Sequence, residues 1–380
     1  MINRIEPQVS THCQLWYDAA KDPIVTPVVA YKYIWYKKWG NYKQDILQPY
    51  LISCRLPHRD VLAANGMQAD QVPVSVSLTE KRCQQPTTHL RIINDVPAQK
   101  KQFAVCVKGL DFLHEDLSIR LVEWIELLGL LGVDKIFLYE LEVHPNVSKV
   151  LRYYSKTGKV DLTQLTLPGE QPNVPGLRHM YLKSKTVNKR QNEIIPYNDC
   201  LYRNLYSYDY IALLDTDEVI LPKNVSTWSE LIRDIIPMAN YTVSSYSFRN
   251  VYFWDDQEHS HHWDANIPRY MHMLQHVERS YNYTKMNQYV KCFHKVEKIW
   301  TLHNHFPLAC LGGNCRRFAV DTEMAHLQHY RGDCVSNLKK SCEDDFKKHL
   351  VRDTTIWRYA ENLIPRVNHV LKILGFIPAD

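Results

Sequence analysis

The stretch YIALLDTDEVILP, residues Tyr210–Pro222, joins a short apolar strand to an acidic turn. Its first five residues are apolar and suit a buried strand. Asp215, Asp217 and Glu218 follow directly. Ligands collect at the carboxyl ends of strands in open α/β sheets, and two carboxylates at i and i+2 around a turn can share a divalent cation. The stretch therefore predicts a cation site, with a solvated acidic turn as the alternative.

Alternating strands and helices lead up to this turn from Phe103 onward. Apolar residues recur at helical spacing from Leu117 to Leu128, and this helix is predicted to stop near Gly129 to Gly132. The predicted strands are FAVCVKGL, KIFLYEL, KVDLTQL and YIALLD, and the later predicted helices are VSKVLRYYSKTG and KRQNEIIPYNDCLYRNLY, the last with Pro196 near its start. This order, βαβαβ followed by αβ, predicts an α/β fold with a mostly parallel sheet flanked by helices.

The chain is predicted to contain two domains. Residues 1–97 contain short β-branched and aromatic runs, which predict a smaller β-rich N-terminal domain serving as a stem or accessory module. Residues 98–380 form the second predicted domain. Within it, SSYSFRNVYFW is predicted as strand, and the segment from KKSCEDDF to VLKIL as largely helical.

Composition excludes several classes of protein. The 380 residues are 45% hydrophobic and 23% charged, as in globular proteins. The net charge of +5 comes from scattered Lys and Arg residues, so nucleic-acid binding is not expected. No apolar run reaches the ~18 residues of a membrane helix, and the N-terminal residues lack the apolar core of a signal peptide.

Cysteines and glycosylation triplets indicate an oxidising compartment. The chain has 10 Cys residues without a zinc-type CxxC pair, and Cys310 and Cys315 flank LGGN, a loop that a disulfide could close. Asn146, Asn224, Asn240 and Asn282 each begin an N-x-S/T triplet. We therefore expect a glycosylating lumen and an N-terminal membrane anchor that is absent from this chain.

Several ordered motifs resemble glycosyltransferase family 92. They are LVEWIELLGLLGVDKIFLYE, VLRYYSKTGKVDL, NDCLYRN, YIALLDTDEVILP and the triplet HYR at His329 to Arg331, and the likeness extends from about Phe103 to Arg331. The resemblance implies a GT-A fold and an inverting transfer of a hexose, typically galactose from UDP-galactose, to a glycan hydroxyl. It also implies the Golgi lumen, as a type II membrane protein or in secreted form.

The resemblance assigns the acidic turn to metal and donor binding. Asp215 and Asp217 match the family's metal motif, which implies contact with the cation and with the donor's diphosphate and ribose. A third ligand in such enzymes is often a late histidine. His329 is the first choice, with His303 and His305 as alternatives. Two carboxylates and one imidazole suit Mn²⁺ better than Mg²⁺, although another divalent cation is compatible.

Further donor contacts are carried over from the helix motif. Asn198, Asp199 and Arg203 match the family's NDCLYRN segment and are predicted to hold the donor sugar or support the site. For Arg203 the alternative is a salt bridge to Asp199, one helical turn away. Lys291 and Arg331 are predicted to offset the charge of the diphosphate, with solvated surface as their alternative.

An inverting transfer also requires a carboxylate base beside the acceptor hydroxyl. The loop FWDDQEHSHHWD follows the sheet and supplies candidates. Asp256 and Glu258 are the preferred ones, and Asp255 is a further one.

Two other functions remain open at this point. HSHHWD and the acidic turn could form a two-metal phosphoesterase, although such sites need more converging ligands than the sequence places. A secreted carbohydrate-binding module with structural Ca²⁺ is the other alternative.

Overall fold

The computed structural model describes residues 10–18, 20–35, 47–255, 263–334 and 339–378. The chain divides into two compact units. The first comprises residues 1–99 with 168–170, and the second comprises residues 100–167 with 171–380.

The first unit is an antiparallel sheet with one short helix. Its elements are β1 (His12–Trp16), β2 (Ile24–Tyr33), β3 (Tyr50–Cys54), α1 (Arg59–Ala64), β4 (Ser75–Thr79) and β5 (Leu90–Arg91). The strand order is β3-β2-β1-β4-β5, and a disulfide between Cys13 and Cys54 links β1 to β3. Leu15, Leu62 and Met67 are buried in its core. The strands lie in the β-branched runs of the sequence, and the role of this unit stays a prediction.

The second unit begins with the predicted alternation of strands and helices. Its first elements are β6 (Lys101–Phe112), α2 (Ser118–Leu130), β7 (Lys135–Val143), α3 (Pro145–Lys156), β8 (Val160–Gln164), α4 (Leu177–Ser184), α5 (Thr186–Arg203) and β9 (Tyr208–Leu213). β6 is parallel to both β7 and β9, and β7 is parallel to β8. The predicted α/β architecture with a parallel sheet is therefore confirmed. α2 ends before Gly132, whose φ of 90° suits glycine.

The remaining elements extend this sheet and build a second one. They are β10 (Glu218–Pro222), α6 (Trp228–Ile235), β11 (Ser245–Phe248), β12 (Asn250–Trp254), α7 (His272–Gln275), β13 (Glu278–Ser280), β14 (Lys291–Lys295), β15 (Ile299–Leu302), β16 (Pro307–Cys310), β17 (Arg317–Ala319), β18 (Ala325–Arg331), α8 (Lys339–Cys342), β19 (Leu350–Arg352) and α9 (Ala360–Ile373). The first sheet has the order β17-β11-β14-β9-β6-β7-β8 and the second β10-β18-β12-β13-β19, while β15 and β16 form a separate pair.

The structure refines three local predictions. The run SSYSFRNVYFW is strand as predicted, but it forms two strands because the chain passes at Arg249 from the first sheet to the second. Pro196 lies inside α5 rather than near its start, because this helix already begins at Thr186. The C-terminal segment is largely helical as predicted, but it is interrupted by β19, which pairs with the distant β13 because a tertiary pairing overrides local helix propensity.

Disulfides reinforce the second unit. Cys106–Cys200 joins β6 to α5, and Cys334–Cys342 links the end of β18 to α8. Cys310–Cys315 closes the LGGN loop as predicted. The four disulfides among the described residues indicate a secreted or lumenal protein. No helix in the described part of the chain is long and apolar enough to cross a membrane.

Candidate functional site

The acidic turn lies between β9 and β10, where both sheets contribute strand ends. β10 pairs antiparallel with β18, and this register places Glu218 opposite His329. β12 runs parallel to β18, so that both strands end on the same side, at Trp254 and Arg331. The turn, the HYR triplet and the residue after β12 are thereby brought together.

A cleft of about 510 Å³ opens over these strand ends. Its polar lining combines acidic groups with basic ones. The charged, hydroxyl and imidazole side chains along it are Lys108, Asp111, Glu115, Arg120, Lys189, Asp215, Thr216, Asp217, Asp255, His329, Tyr330, Arg331 and Asp333.

Asp215 lies between two lysines. Its Oδ1 is 3.1 Å from Nζ of Lys108, and its Oδ2 is 3.5 Å from Nζ of Lys291. Burial acts to raise the pKa of Asp215, but the two positive charges outweigh it and hold that pKa well below the ordinary value. Asp215 is therefore ionised, and Lys108 is the lysine that lines the cleft beside it.

Glu218 holds the turn from inside. Its Oε2 accepts a hydrogen bond from the backbone N–H of Asp215 at 2.9 Å and lies 3.0 Å from Nζ of Lys291. Glu218 and Lys291 are both buried, and Lys291 also donates to Oδ1 of Asn304 at 2.6 Å. Burial raises the pKa of Glu218, with Lys291 acting in the opposite direction. The pair shapes the turn from behind, and neither residue is among those that line the cleft.

Asp217 and His329 face each other at the edge of the cleft. Nε2 of His329 lies 3.3 Å from Oδ2 of Asp217, and its Nδ1 lies 3.2 Å from Nδ2 of Asn250. Burial acts to lower the pKa of His329, but Asp217 and Glu218 raise it above the ordinary value. One carboxylate oxygen and one imidazole nitrogen at this separation fit a divalent transition ion, because ligands about 2.1 Å from one ion lie roughly 3 Å apart.

Asp255 follows β12 and reaches the same cleft. Its Oδ2 lies 2.9 Å from NH1 of Arg120, and its Oδ1 lies 3.1 Å from Nε2 of His272. Burial acts to raise the pKa of Asp255, but its contacts with His272 and Arg120 lower it to about 2. The other two predicted bases, Asp256 and Glu258, lie outside the described residues.

The helix motif lies away from the cleft. Asn198 donates from Nδ2 to the carbonyl oxygens of Ile194 and Leu302 and accepts from the N–H of Leu302, which ties α5 to β15. The predicted alternative for Arg203 is present, since its Nε lies 2.6 Å from Oδ2 of Asp199. None of Asn198, Asp199 and Arg203 is among the described residues that line the cleft, and their contact with a donor stays a prediction.

Of the other predicted site residues, one lines the cleft and two do not. Arg331 ends β18 and lines the cleft. His303 and His305 flank Asn304 instead, where burial lowers their pKa values to about 2 and about 3. Neither histidine lines the cleft. As metal ligands they remain alternative predictions.

Sequence reasoning missed Lys108, Arg120 and His272. Lys108 carried a signal, because it is the charged residue in the apolar strand FAVCVKGL. Arg120 and His272 had none, since only the tertiary structure brings α2 and α7 to the end of β12.

Comparisons with known proteins agree on one class of enzyme. The sequence model of glycosyltransferase family 92 matches residues 101–366. A β-1,4-galactosyltransferase of Caenorhabditis elegans, galt-1, is 28% identical over 181 residues, covering 46% of this chain and 38% of its own length. The chain thus spans well under half of this curated relative.

Two solved structures show a weaker likeness. The crystal structure of S. aureus TarS has a TM-score of 0.24 and 10% identity, covering 41% of this chain and 22% of its own. The apo structure of the bifunctional glycosyltransferase WbbM has a TM-score of 0.24 and 11% identity, covering 62% of this chain and 37% of its own. Similarity at this level carries no argument about the site.

Proposed function

This chain belongs to glycosyltransferase family 92, and on that premise we propose that it transfers a hexose from a nucleotide sugar to a glycan hydroxyl, with inversion at the anomeric carbon. We take the donor to be UDP-galactose, in line with the name of the galt-1 relative. The proposed fold is GT-A, in keeping with a parallel sheet whose fourth strand ends in the acidic turn.

One observation carries this proposal: the acidic turn and the HYR triplet meet at a cleft that is also lined by basic groups. Asp217 and His329 supply metal-binding atoms there, while Lys108 and Arg331 supply positive charge. A nucleoside diphosphate needs both, because a cation and nearby Lys or Arg side chains neutralise its phosphates.

The residues that would hold Mn²⁺ are Asp217 and His329, with Asp215 as the third predicted ligand. When bound, the ion supplies Lewis-acid stabilisation of the charge that develops on the departing diphosphate. His329 must lose its ring proton before Nε2 can serve as a ligand. Asp215 is held by Lys108 and Lys291, so that its carboxylate is fixed in the ionised form.

Lys108 and Arg331 are proposed to contact the diphosphate. Both line the cleft next to the acidic turn, where Nζ of Lys108 lies 3.1 Å from Asp215 and 3.8 Å from Glu193. Lys291 acts indirectly, since it is buried behind the turn and positions Asp215 and Glu218.

The transfer is a single displacement. The acceptor oxygen forms a bond to the anomeric carbon as the bond from that carbon to the diphosphate oxygen breaks, and the nucleoside diphosphate leaves with the electron pair. The hydroxyl proton passes to a carboxylate base. Among the described residues we assign this role to Asp255, because it lies on the cleft and is ionised. Asp256 and Glu258 remain predicted alternatives.

We place the reaction in the Golgi lumen or outside the cell, as a type II membrane protein or a secreted one. Four disulfides in the described residues support an oxidising compartment. The N-terminal β-rich region is proposed as a stem or accessory module.

A transfer assay tests the proposal. The protein is incubated with Mn²⁺, a panel of nucleotide sugars and a panel of glycans, and products are followed by mass spectrometry and by the anomeric proton signals. We expect one hexose added from UDP-galactose with inverted configuration. Hydrolysis of a generic phosphate ester without transfer would indicate the phosphoesterase, and Ca²⁺-dependent glycan binding without nucleotide would indicate the binding module.

A further inference from the structure

A second group of metal-binding side chains lies beside the cleft. Asp255, His272 and His276 each offer one ligand atom, and these atoms lie within 4.8 Å of one another. We propose that this group is a second metal site, which takes Zn²⁺ or another divalent transition ion that prefers imidazole. It shares no residue with the predicted centre at Asp217 and His329.

The donor set determines the class of ion. Two imidazoles and one carboxylate, with a fourth position left to water or a ligand, form the set found at many catalytic zinc sites. Imidazole nitrogen suits Zn²⁺, Cu²⁺ and Ni²⁺, whereas Mg²⁺ and Ca²⁺ prefer sites made of oxygen alone. The two centres therefore differ in the metal ion that they prefer, since the centre at the acidic turn has one histidine ligand and the centre at Asp255 has two.

The spacing of the first two ligands fits one ion. Nε2 of His272 and Oδ1 of Asp255 are 3.1 Å apart, and two ligands about 2.1 Å from a tetrahedral ion are about 3.4 Å apart. Both atoms are buried, and neither has a hydrogen-bond partner of acceptable geometry among the described residues. His272 is only 8% exposed.

Neighbouring groups orient two of the three ligands. Nδ1 of His276 lies 2.7 Å from the carbonyl oxygen of His272, and because a carbonyl only accepts, Nδ1 carries the proton and the lone pair is on Nε2. Such a bond is the usual second contact of a metal-binding histidine. Arg120 holds Oδ2 of Asp255 at 2.9 Å, which leaves Oδ1 toward His272.

The helix that carries His272 is itself anchored. The buried carboxylate of Glu123 accepts hydrogen bonds from the backbone N–H groups of Met273 and Leu274, at 3.0 and 3.1 Å. This fixes the start of α7. His272 and His276 are one helical turn apart, and their ring centroids are separated by 4.2 Å. The histidines therefore occupy a preformed arrangement rather than a loose surface loop.

An ion at this site can be reached from outside. The three ligands line a pocket of about 360 Å³, together with Trp263 and Tyr270. Water or an oxygen atom of a small ligand can complete the coordination there. Asp255 also lines the larger cleft. In the proposed transfer its carboxylate accepts the proton of the acceptor hydroxyl, and an ion bound to that carboxylate would block this step. Zn²⁺ would therefore inhibit transfer, and this consequence is the one part of the inference that rests on the proposed function.

Metal titrations test the site directly. Zn²⁺ binding is measured by calorimetry, and Co²⁺ is used as a coloured probe whose visible absorption reports its coordination. The variants are His276→Gln, Asp255→Asn and a matched control, His349→Gln, at an exposed histidine that lines neither pocket. All are prepared in an Asp217→Asn background to remove the first centre, and thermal unfolding without metal verifies that each is folded.

We expect the background protein and His349→Gln to bind one more Zn²⁺ than His276→Gln and Asp255→Asn, or to bind it at least about tenfold more tightly. The Co²⁺ absorption should fall in the same two variants. Equal Zn²⁺ binding and unchanged Co²⁺ spectra in folded His276→Gln or Asp255→Asn protein would overturn the proposal. Since no nucleotide is present, this result does not depend on whether the protein transfers a sugar.

Discussion

Glu218 and His329 occupy opposite positions of the antiparallel pair β10–β18, with Oε1 of Glu218 3.4 Å from Nδ1 of His329. The neighbouring Asp217 reaches the other ring nitrogen of His329 at 3.3 Å. Backbone register therefore connects the acidic turn with the HYR triplet, although the two are far apart in sequence. The geometry of the site depends on this connection.

Replacing the buried Lys291 should destabilise the protein strongly. Lys291→Met leaves Glu218 and Asp215 without the cation that compensates their buried charge, and removing one partner of a buried ion pair costs about 3 to 5 kcal/mol. We expect a loss of this size in the free energy of unfolding, measured with urea. Lys295→Met, in the same strand but partly exposed, should change it by less than about 1 kcal/mol. Similar effects of the two variants would contradict the proposed support of the turn.

A single substitution distinguishes the three candidate histidine ligands. His329→Gln should weaken Mn²⁺-dependent binding of UDP by at least about tenfold, because it removes the nitrogen that faces Asp217. His303→Gln and His305→Gln are the matched controls, since both residues lie outside the cleft. Binding is measured by calorimetry at fixed Mn²⁺. If a control loses binding and His329→Gln keeps it, the metal ligand has been misassigned.

Removal of the proposed base should affect turnover rather than donor binding. Asp255→Asn keeps the shape of the side chain but cannot accept the proton, so we expect kcat to fall about 100- to 10,000-fold. The Mn²⁺-dependent affinity for UDP should change little. Asp256→Asn and Glu258→Gln are measured in parallel, and a comparable fall in either of these, with Asp255→Asn active, would move the role to that residue.

A buried ion pair outside the site should govern acid stability. Nε of Arg279 lies 2.7 Å from Oδ2 of Asp353, and Oδ1 accepts from the hydroxyl of Thr355 at 2.6 Å. Burial acts to raise the pKa of Asp353, but these contacts lower it to about 2, from an ordinary value of 3.8. The stabilisation is therefore present above about pH 4 and is lost as the pH falls toward about 2.

The matching measurement is the free energy of unfolding of wild type and Asp353→Asn across this pH range. The wild type should be more stable by about 2 kcal/mol near neutral pH, and the difference should shrink toward pH 2. Asp344→Asn is the control, since Asp344 pairs with Lys348, four residues later, and both side chains are exposed. A difference for Asp353→Asn that does not depend on pH would contradict the assignment.

Sequence was sufficient for the parts of the fold with local, periodic patterns. The apolar runs around β6, β7, β8 and β9 and the amphipathic spacing of α2 gave the parallel sheet, because a buried parallel strand and its covering helix each carry their own signal. The acidic turn after β9 could be placed for the same reason. β19 could not, because its pairing with β13 is formed only in the folded chain.

The site was predicted only in part for a related physical reason. Asp215 and Asp217 adjoin a recognisable strand, whereas Lys108, Arg120 and His272 contribute through contacts between distant segments. Lys291 was expected to meet a diphosphate but lies behind the turn, since two buried carboxylates require a buried cation. Pairs of buried charges that form between distant segments cannot be predicted from the sequence pattern.

The most direct test of the central claim is calorimetric titration of UDP into the protein with and without Mn²⁺, repeated with Asp217→Asn. Asp161→Asn, at an exposed residue outside the cleft, is the matched control. The wild type and the control should bind UDP only with Mn²⁺, and Asp217→Asn should lose that binding. If the folded wild type bound no UDP, or if Asp217→Asn bound it as tightly as the wild type, the acidic turn would not be the metal and nucleotide site.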